Sequence, residues 1–331
     1  MLNTWDNLRE RKWSSRQIET VAEQVTWEVI MRIGVTGATG FLGRYIVAHL
    51  CKAGHSCRCW YRPSSDRTGL NVFERSITWI PGHLNEADSN SALVAECDAV
   101  VHAALYRPDD GLSGRADGLL RFLEKNVLGT IGLIEAARAA SVRRFVFIST
   151  CAVHDKILDD RPLDEAHPLW PKSYYGAHKA ALEAFVHSFG LGAGYPICAL
   201  RPTGIYGVAH PPQESKWFDL VRSVVRGEPV ECLHGGKEVH AADVARATEI
   251  LLCTEGVAGE SYNCYDRYVS EFDVATTARA LTASRSEIHG EPAAPKHQIA
   301  TKKLEALGMQ FGGRPRLEQT IRELIDAASR A

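Results

Sequence analysis

Long apolar runs are missing from this chain. No stretch of its 331 residues reaches the roughly 18 apolar residues that suggest a membrane span, so no membrane partner is expected. Paired cysteines are missing too. Cys51, Cys57, Cys59, Cys97, Cys151, Cys198, Cys232, Cys253 and Cys264 are scattered without a CxxC, and the histidines form no HExxH. No metal site is therefore expected, and the cysteines read as reduced thiols in a cytoplasmic core. Cys57 and Cys59, two apart in an apparent strand, are expected to face the same side. A large charge excess is also absent. The formal net charge of -2 gives no reason to expect nucleic acid or an acidic surface as partner. The first 30 residues are polar and charged rather than apolar, unlike a secretory signal. Internal repeats and low-complexity tracts are lacking. A cytoplasmic protein is the reading these absences leave.

What is present is regular alternation. A hydrophobic content of 45% suits one large domain with an attached lobe, or two domains. Residues 1–30 stand apart as an N-terminal helical extension. There Ser14 or Ser15 would cap a helix over Arg16–Ile30 carrying Ile18, Val21, Val25 and Val29 at helical spacing; Trp5 and Trp13 have no evident role. From Met31 onward, apolar segments rich in Val, Ile and Phe predict strands at Arg32–Thr36, Ser56–Tyr61, Ile77–Ile80, Ala99–His102, Phe145–Ser149 and Ile197–Arg201. Helices are expected between them at Phe41–Lys52, Leu119–Ala140 and Tyr174–Phe189. This alternation predicts an α/β fold with a doubly wound parallel sheet, its strand ends opening along one ligand crevice. Residues 31–205, with parts of 235–265, would form that domain. Pro211, Pro212 and Pro229 and the short apolar pieces after Arg201 suggest a smaller C-terminal lobe over 206–331. It would end in two helices around Gly308–Pro315.

The first strand runs into Gly37-Ala38-Thr39-Gly40-Phe41-Leu42-Gly43 and then a helix. Glycine permits the tight turn and a close approach of backbone to a pyrophosphate. The free N–H groups and positive dipole end of the helix complete an anion site. In this strand–turn–helix context the glycines point to a dinucleotide, with Thr39, Phe41 and Leu42 beside it. A site for NAD would place an acid about 20 residues on, against the ribose 2′-hydroxyl. Here Arg62 stands at the end of the second strand and the first acid is Asp66, beyond Pro63. A guanidinium there can grip a 2′-phosphate, so NADP(H) is favoured over NAD(H).

Tyr175 and Lys179 share one face of a predicted helix, four residues apart. A tyrosine ordinarily titrates near pH 10, and a neighbouring ammonium is expected to lower that value. It could then exchange a proton with a substrate hydroxyl or carbonyl as hydride moves. Tyr174 lacks such a partner, because His178 stands four residues on. Thr150, with Ser149 beside it, ends a strand at the crevice and is assigned to orient the substrate oxygen.

With these features in register, the sequence from Met31 onward resembles the extended short-chain dehydrogenase/reductase family, also called the NAD(P)-dependent epimerase/dehydratase family. Gly37–Gly43 is similar to its TGxxGxxG turn, and Asp98–Ala104 to its fourth-strand signature. Asn126-Val127-Leu128-Gly129-Thr130 is similar to NVxGT, Ser149–His154 to ST-x-x-V-Y, Arg201–Gly207 to the strand leaving the nicotinamide pocket, and His240–Val244 to HVDDV. The resemblance implies a Rossmann-type fold with a substrate-binding lobe. It implies that Ala103, Ala104 and Pro202 line the cofactor and that Asn126 supports the catalytic site. It places His83 and Leu84 at the adenine, although the aspartate of the usual GDL is here His83.

Other departures bear on the reaction. Sugar dehydratases of the family carry an Asp–Glu pair after the threonine; Cys151 and Ala152 stand there instead, which argues against sugar 4,6-dehydration. Nucleotide-sugar epimerases carry an arginine before HVDDV; here only Lys237 is available, as a point charge. The glycine turn and Arg62 look more like the carbonyl-reductase branch. The resemblance thus implies an oxidoreductase moving hydride between NADP(H) and a C–OH/C=O group through Thr150, Tyr175 and Lys179. The alternatives are an NAD-dependent sugar epimerase and a non-catalytic NADP(H)-sensing protein. Tyr106 and Arg107 would line the substrate, and the helices around Leu119–Ala140 and Tyr174–Phe189 would form a homodimer.

Overall fold

In the computed structural model, which describes residues 30–108 and 118–330, the apolar run Arg32–Thr36 forms strand β1. Only Arg32 at its start is exposed, as expected for a strand covered by helices on both faces. Glycine-rich residues lead from it into α1 (Phe41–Lys52), then β2 (Ser56–Tyr61), β3 (Ile77–Pro81), α2 (Ala87–Val94) and β4 (Ala99–His102). A long helical segment follows: α3 (Gly118–Leu123), a π-helical turn at Glu124–Leu128, and α4 (Gly129–Ala139). Next come β5 (Arg144–Ile148), α5 (Tyr174–His187), β6 (Ile197–Pro202), β7 (Gly204–Tyr206), α6 (Phe218–Val225), β8 (Val230–Cys232), β9 (Gly235–His240) and α7 (Ala241–Cys253). The chain closes with β10 (Ser261–Cys264), β11 (Arg267–Ser270), α8 (Glu271–Thr282), β12 (Ile288–Gly290), α9 (Lys302–Glu305) and α10 (Gly313–Ser329).

Seven strands form one parallel sheet in the order β10-β6-β5-β4-β1-β2-β3. From β1 the chain winds outward to β2 and β3, then returns to the other side at β4. The loops leaving β1 and β4 therefore diverge and open a crevice at the carboxyl ends of adjacent strands. Two apolar cores, one led by Ile33, Val35, Ile46 and Leu50 and the other by Leu93, Phe145, Phe147 and Leu182, fill the layers between sheet and helices. A third core around Tyr206, Phe218, Val221 and Ile321 belongs to the later residues. There β11-β9-β7 and β12-β8 make two small sheets.

The fold is the expected Rossmann-type α/β arrangement, with differences at its edges. Strand β5 stops at Ile148, so Ser149 lies in the loop rather than in the strand. The seventh strand, β10, was not expected from its polar sequence, nor was β9, which opens on two glycines. The helix expected over Leu119–Ala140 is broken by the π turn. Cys57 and Cys59 are both buried in the first core, and all nine cysteines are free. The expected helix at Arg16–Ile30 lies outside the described residues. Among the described residues, no helix is long and apolar enough to cross a membrane, and no three His, Cys, Asp or Glu side chains converge as metal ligands would.

Candidate active site

A cleft of about 1340 Å³ runs along the crevice. That is large by the standard of small-molecule pockets, which run to about 1,000 Å³, and leaves room for a dinucleotide with a substrate beside it. Every site residue expected from the sequence except Asn126 lines it: Gly37, Thr39, Gly40, Phe41, Leu42, Gly43, Arg62, His83, Leu84, Ala103, Ala104, Thr150, Tyr175, Lys179 and Pro202.

At one end, the Gly40 N–H donates to the Gly37 carbonyl, and the first intrahelical bond runs from the Arg44 N–H to the Gly40 carbonyl. The amides of Phe41, Leu42 and Gly43 thus head the helix without intrahelical acceptors. The turn is very tight: a Cβ at Gly43 would lie 1.9 Å from the Gly37 carbonyl oxygen. This cradle fits a pyrophosphate. Arg62 lies on the exposed rim in a turn closed by the Ser65 N–H donating to the Arg62 carbonyl, 2.8 Å. Ser64 and Ser65 line the cleft beside it. Arg62 has no ion-pair partner among the described residues. Asp66, by contrast, is occupied locally. It accepts from both the backbone N–H and the hydroxyl of Thr68, and it meets the Arg44 guanidinium. Arg44 also donates to the carbonyls of Thr39 and Thr68, so it ties the Arg62 loop to the glycine turn.

At the centre, Ser173 caps α5 by accepting from the Gly176 N–H, 3.0 Å, which fixes where the helix carrying Tyr175 begins. Gly176 lets α5 press on the loop after β5, because a Cβ there would meet the Ala152 carbonyl oxygen at 2.5 Å. Tyr175 is thereby set beside Thr150. The Thr150 hydroxyl accepts from the Ala152 N–H, 3.1 Å, and so caps its own loop while still facing the cleft. Ser149 is committed elsewhere, donating to Glu183.

The expected effect of Lys179 on Tyr175 needs correcting. Burial pushes the Tyr175 phenol up, while the Thr150 hydroxyl and the Arg107 guanidinium pull it partly back down. The Lys179 ammonium lies against Phe147 and donates to the Ile148 carbonyl, 2.6 Å. Buried, it is itself pushed down to about 7, with Glu183 opposing the shift. Desolvation disfavours the charged lysine, and Lys179 is not among the groups that pull the phenol down.

Asn126 lies outside the cleft wall. Its carboxamide accepts from the Tyr106 N–H at 2.8 Å and donates to the Tyr106 carbonyl at 3.0 Å. It thus holds the loop that carries Arg107, from the π turn in the helix. The sequence reading missed what supports this loop. The Thr36 hydroxyl accepts from the Ala103 and Ala104 N–H groups, so its proton goes to Nδ1 of His102, 2.7 Å away. Nε2–H of His102 then donates to Thr130, 2.8 Å, and Thr130 donates to the Asn126 carbonyl. Burial keeps His102 neutral, its pKa lowered to about 3, as the chain requires. Polar residues closing two largely apolar strands, Thr36 and His102, were the available signal.

Comparison with known proteins finds relatives of this chain. The model of the NAD dependent epimerase/dehydratase family matches residues 33–264. A 4-hydroxy-2-methyl-3-oxo-4-farnesyl-3,4-dihydroquinoline-1-oxide ketoreductase of Stigmatella aurantiaca is 32% identical over 241 residues, covering 70% of this chain and 67% of that protein. The dTDP-D-glucose 4,6-dehydratase of Homo sapiens is 31% identical over 273 residues, covering 78% and 75%. Among solved structures, the Thermus thermophilus UDP-glucose 4-epimerase in complex with NAD superposes with a TM-score of 0.70 at 22% identity, over 91% of this chain and all of that one. At that identity the likeness concerns the fold.

Proposed function

The chain belongs to the NAD dependent epimerase/dehydratase family, and on that premise we propose that it is an NADP(H)-dependent oxidoreductase acting on a C–OH/C=O group of a small substrate. The observation that carries this reading is the meeting of Thr150, Tyr175 and Lys179 on the floor of the cleft that begins at the glycine turn. When bound, the nicotinamide supplies or accepts the hydride. Thr150 orients the substrate oxygen, and Tyr175 gives or takes its proton. Lys179 holds the ribose and Asn126 keeps the facing loop in place. Cys151 offers no acid for elimination: its thiol, pushed up to about 12 by burial, donates to the Arg201 carbonyl. Ala152 offers no base. This supports hydride transfer over sugar 4,6-dehydration. The test is oxidation of NADPH across a panel of ketones and aldehydes. Turnover supports the reading. An inert protein that releases stoichiometric NAD on denaturation points instead to an epimerase retaining its cofactor.

Preference for NADP(H) rests on Arg62 with Ser64 and Ser65. A charge-assisted bond to a 2′-phosphate is expected to contribute roughly tenfold in affinity. Arg62→Ala should therefore weaken NADPH binding by about tenfold and leave NADH binding nearly unchanged. Equal losses for both cofactors would remove Arg62 from the 2′ position.

A homodimer is supported by apolar side chains left exposed on two adjoining helical segments. Leu120 and Leu128 are 70% and 57% exposed, and Phe185 on α5 is 41% exposed. A monomer leaves such groups in water at a cost. Sedimentation of the wild type should give twice the chain mass, and Leu128→Asp with Phe185→Asp should give the monomer. An unchanged mass in the double variant would place the interface elsewhere.

A further inference from the structure

Beyond Tyr175 the cleft changes character. The segment after Thr150 and the C-terminal residues approach each other there. Leu163 and Ile299 form a parallel bridge, closed by the Ala300 N–H donating to the Leu163 carbonyl at 2.9 Å. With Cys151 and Ile157 these side chains make one continuous apolar cluster, and Ile205 continues the wall.

Charge is sparse in this part. Among the described cleft-lining residues that follow Thr150 in the sequence, only Lys179 and Lys237 have basic side chains and none is a carboxylate, and His154 is held neutral by burial, its pKa lowered to about 4; Arg107, Arg121 and Lys125 line the same cleft from earlier in the sequence. Lys179 already has its carbonyl acceptor. Lys237, on β9, is half-buried and has no hydrogen-bond or ion-pair partner among the described residues. It lines the same cleft as Cys151, Leu163 and Ile299, and burial pulls its pKa down. An ammonium in such a wall without a counter-charge is costly, and a ligand oxyanion would relieve the cost. The other cation near the reacting oxygen, Arg107, acts on the Tyr175 phenol.

We propose that this half of the cleft takes a largely apolar substrate carrying a single carboxylate, with Leu163, Ile299 and Ile205 covering the apolar body and Lys237 holding the carboxylate. The proposal rests on the hydride-transfer reading for where the substrate's C–OH/C=O lies, at Tyr175. A nucleotide sugar suits this half poorly. Its hydroxyls would go unpaired against isoleucine and leucine. On β9 the paired glycines leave Lys237 as the first side chain the strand offers the cleft.

Binding can be measured apart from turnover. The Tyr175→Phe protein, saturated with whichever of NADP or NAD it takes, is titrated calorimetrically with 4-phenylbutanoate, 4-phenylbutanamide and uridine diphosphate. The carboxylate should bind about tenfold or more tighter than the neutral amide, and also tighter than the diphosphate. Lys237→Met keeps the length of the side chain and removes its charge; it should erase the carboxylate's advantage while leaving amide and cofactor binding unchanged. Equal binding of acid and amide, an advantage that survives in Lys237→Met, or tightest binding of uridine diphosphate overturns the proposal. Should Tyr175→Phe keep full turnover, the hydride-transfer reading fails, whereas the acid-to-amide ratio still decides the role of Lys237.

Discussion

Tyr175→Phe is expected to reduce kcat by about 10³-fold, while the dissociation constant for the nicotinamide cofactor stays within about twofold. The substitution removes one oxygen and little else. The ring stays half-buried and continues to pack against His178, whose ring centroid lies 5.4 Å away. What disappears is the group that can pass a proton to the substrate oxygen at the place where Thr150 orients it. General acid–base catalysis contributes about 10²–10⁴-fold in such cases, and no other titratable side chain is well set to replace the phenol. His178 has a pKa lowered to about 4, and Lys179 is tied to the Ile148 carbonyl. In the proposed reading, cofactor binding rests on the glycine turn and the Arg62 loop, which the substitution does not touch. Steady-state rates, with cofactor titration followed by fluorescence, check both halves. A variant that keeps its rate would move the proton-transfer role away from Tyr175.

Why this tyrosine was legible in the sequence, and other parts of the site were not, comes down to the range of the forces involved. The spacing of Tyr175 and Lys179, the glycines before α1 and the apolar runs of β1 and β4 are local patterns. Neighbouring residues alone dictate them, and the structure places each in the cleft or the sheet as expected. Strand β10 is different. Ser261-Tyr262-Asn263-Cys264 has weak strand preference and takes its conformation from pairing with β6, a partner some 60 residues away in sequence. The two glycines that open β9 read locally as a loop, yet they pair with Val269 and Ser270 on β11. The π turn around Asn126 escapes sequence reading for a related reason. The Asn126 carboxamide there meets the Tyr106 backbone, 20 residues away in sequence, a contact that neighbouring residues do not reveal. The electrostatics were least legible of all. Charge partners could be guessed from spacing, but desolvation of Lys179 depends on how completely the sheet and α5 enclose it.

That enclosure leads to the second large effect, which concerns Glu183. It lies one turn beyond Lys179 on α5, is fully buried, and faces Arg201 on β6, which is only 1% exposed. The Arg201 Nε donates to both carboxylate oxygens, at 3.0 and 2.8 Å. Ser149 after β5 and Ser261 on β10 donate to the same carboxylate. One acidic side chain therefore fastens the catalytic helix to the ends of three strands. Removing one partner from a buried pair strands the other charge in a medium that cannot solvate it, at a cost of ~3–5 kcal/mol. Glu183→Leu is expected to destabilise the protein by that amount, a fall in Tm of roughly 10 °C at the 2–4 °C per kcal/mol typical of larger domains. Glu183→Leu combined with Arg201→Met should regain most of the loss, since neither charge is then left unpaired and the apolar replacements can pack. Thermal unfolding of the wild type, both single variants and the double variant measures the coupling directly. If the double variant is as unstable as the sum of the two singles, the pair does not act as a unit, and the strand ends are held mainly by their apolar cores. Strong coupling would instead mean that the position of Tyr175 depends on an ion pair beneath it, in the core rather than in the cleft.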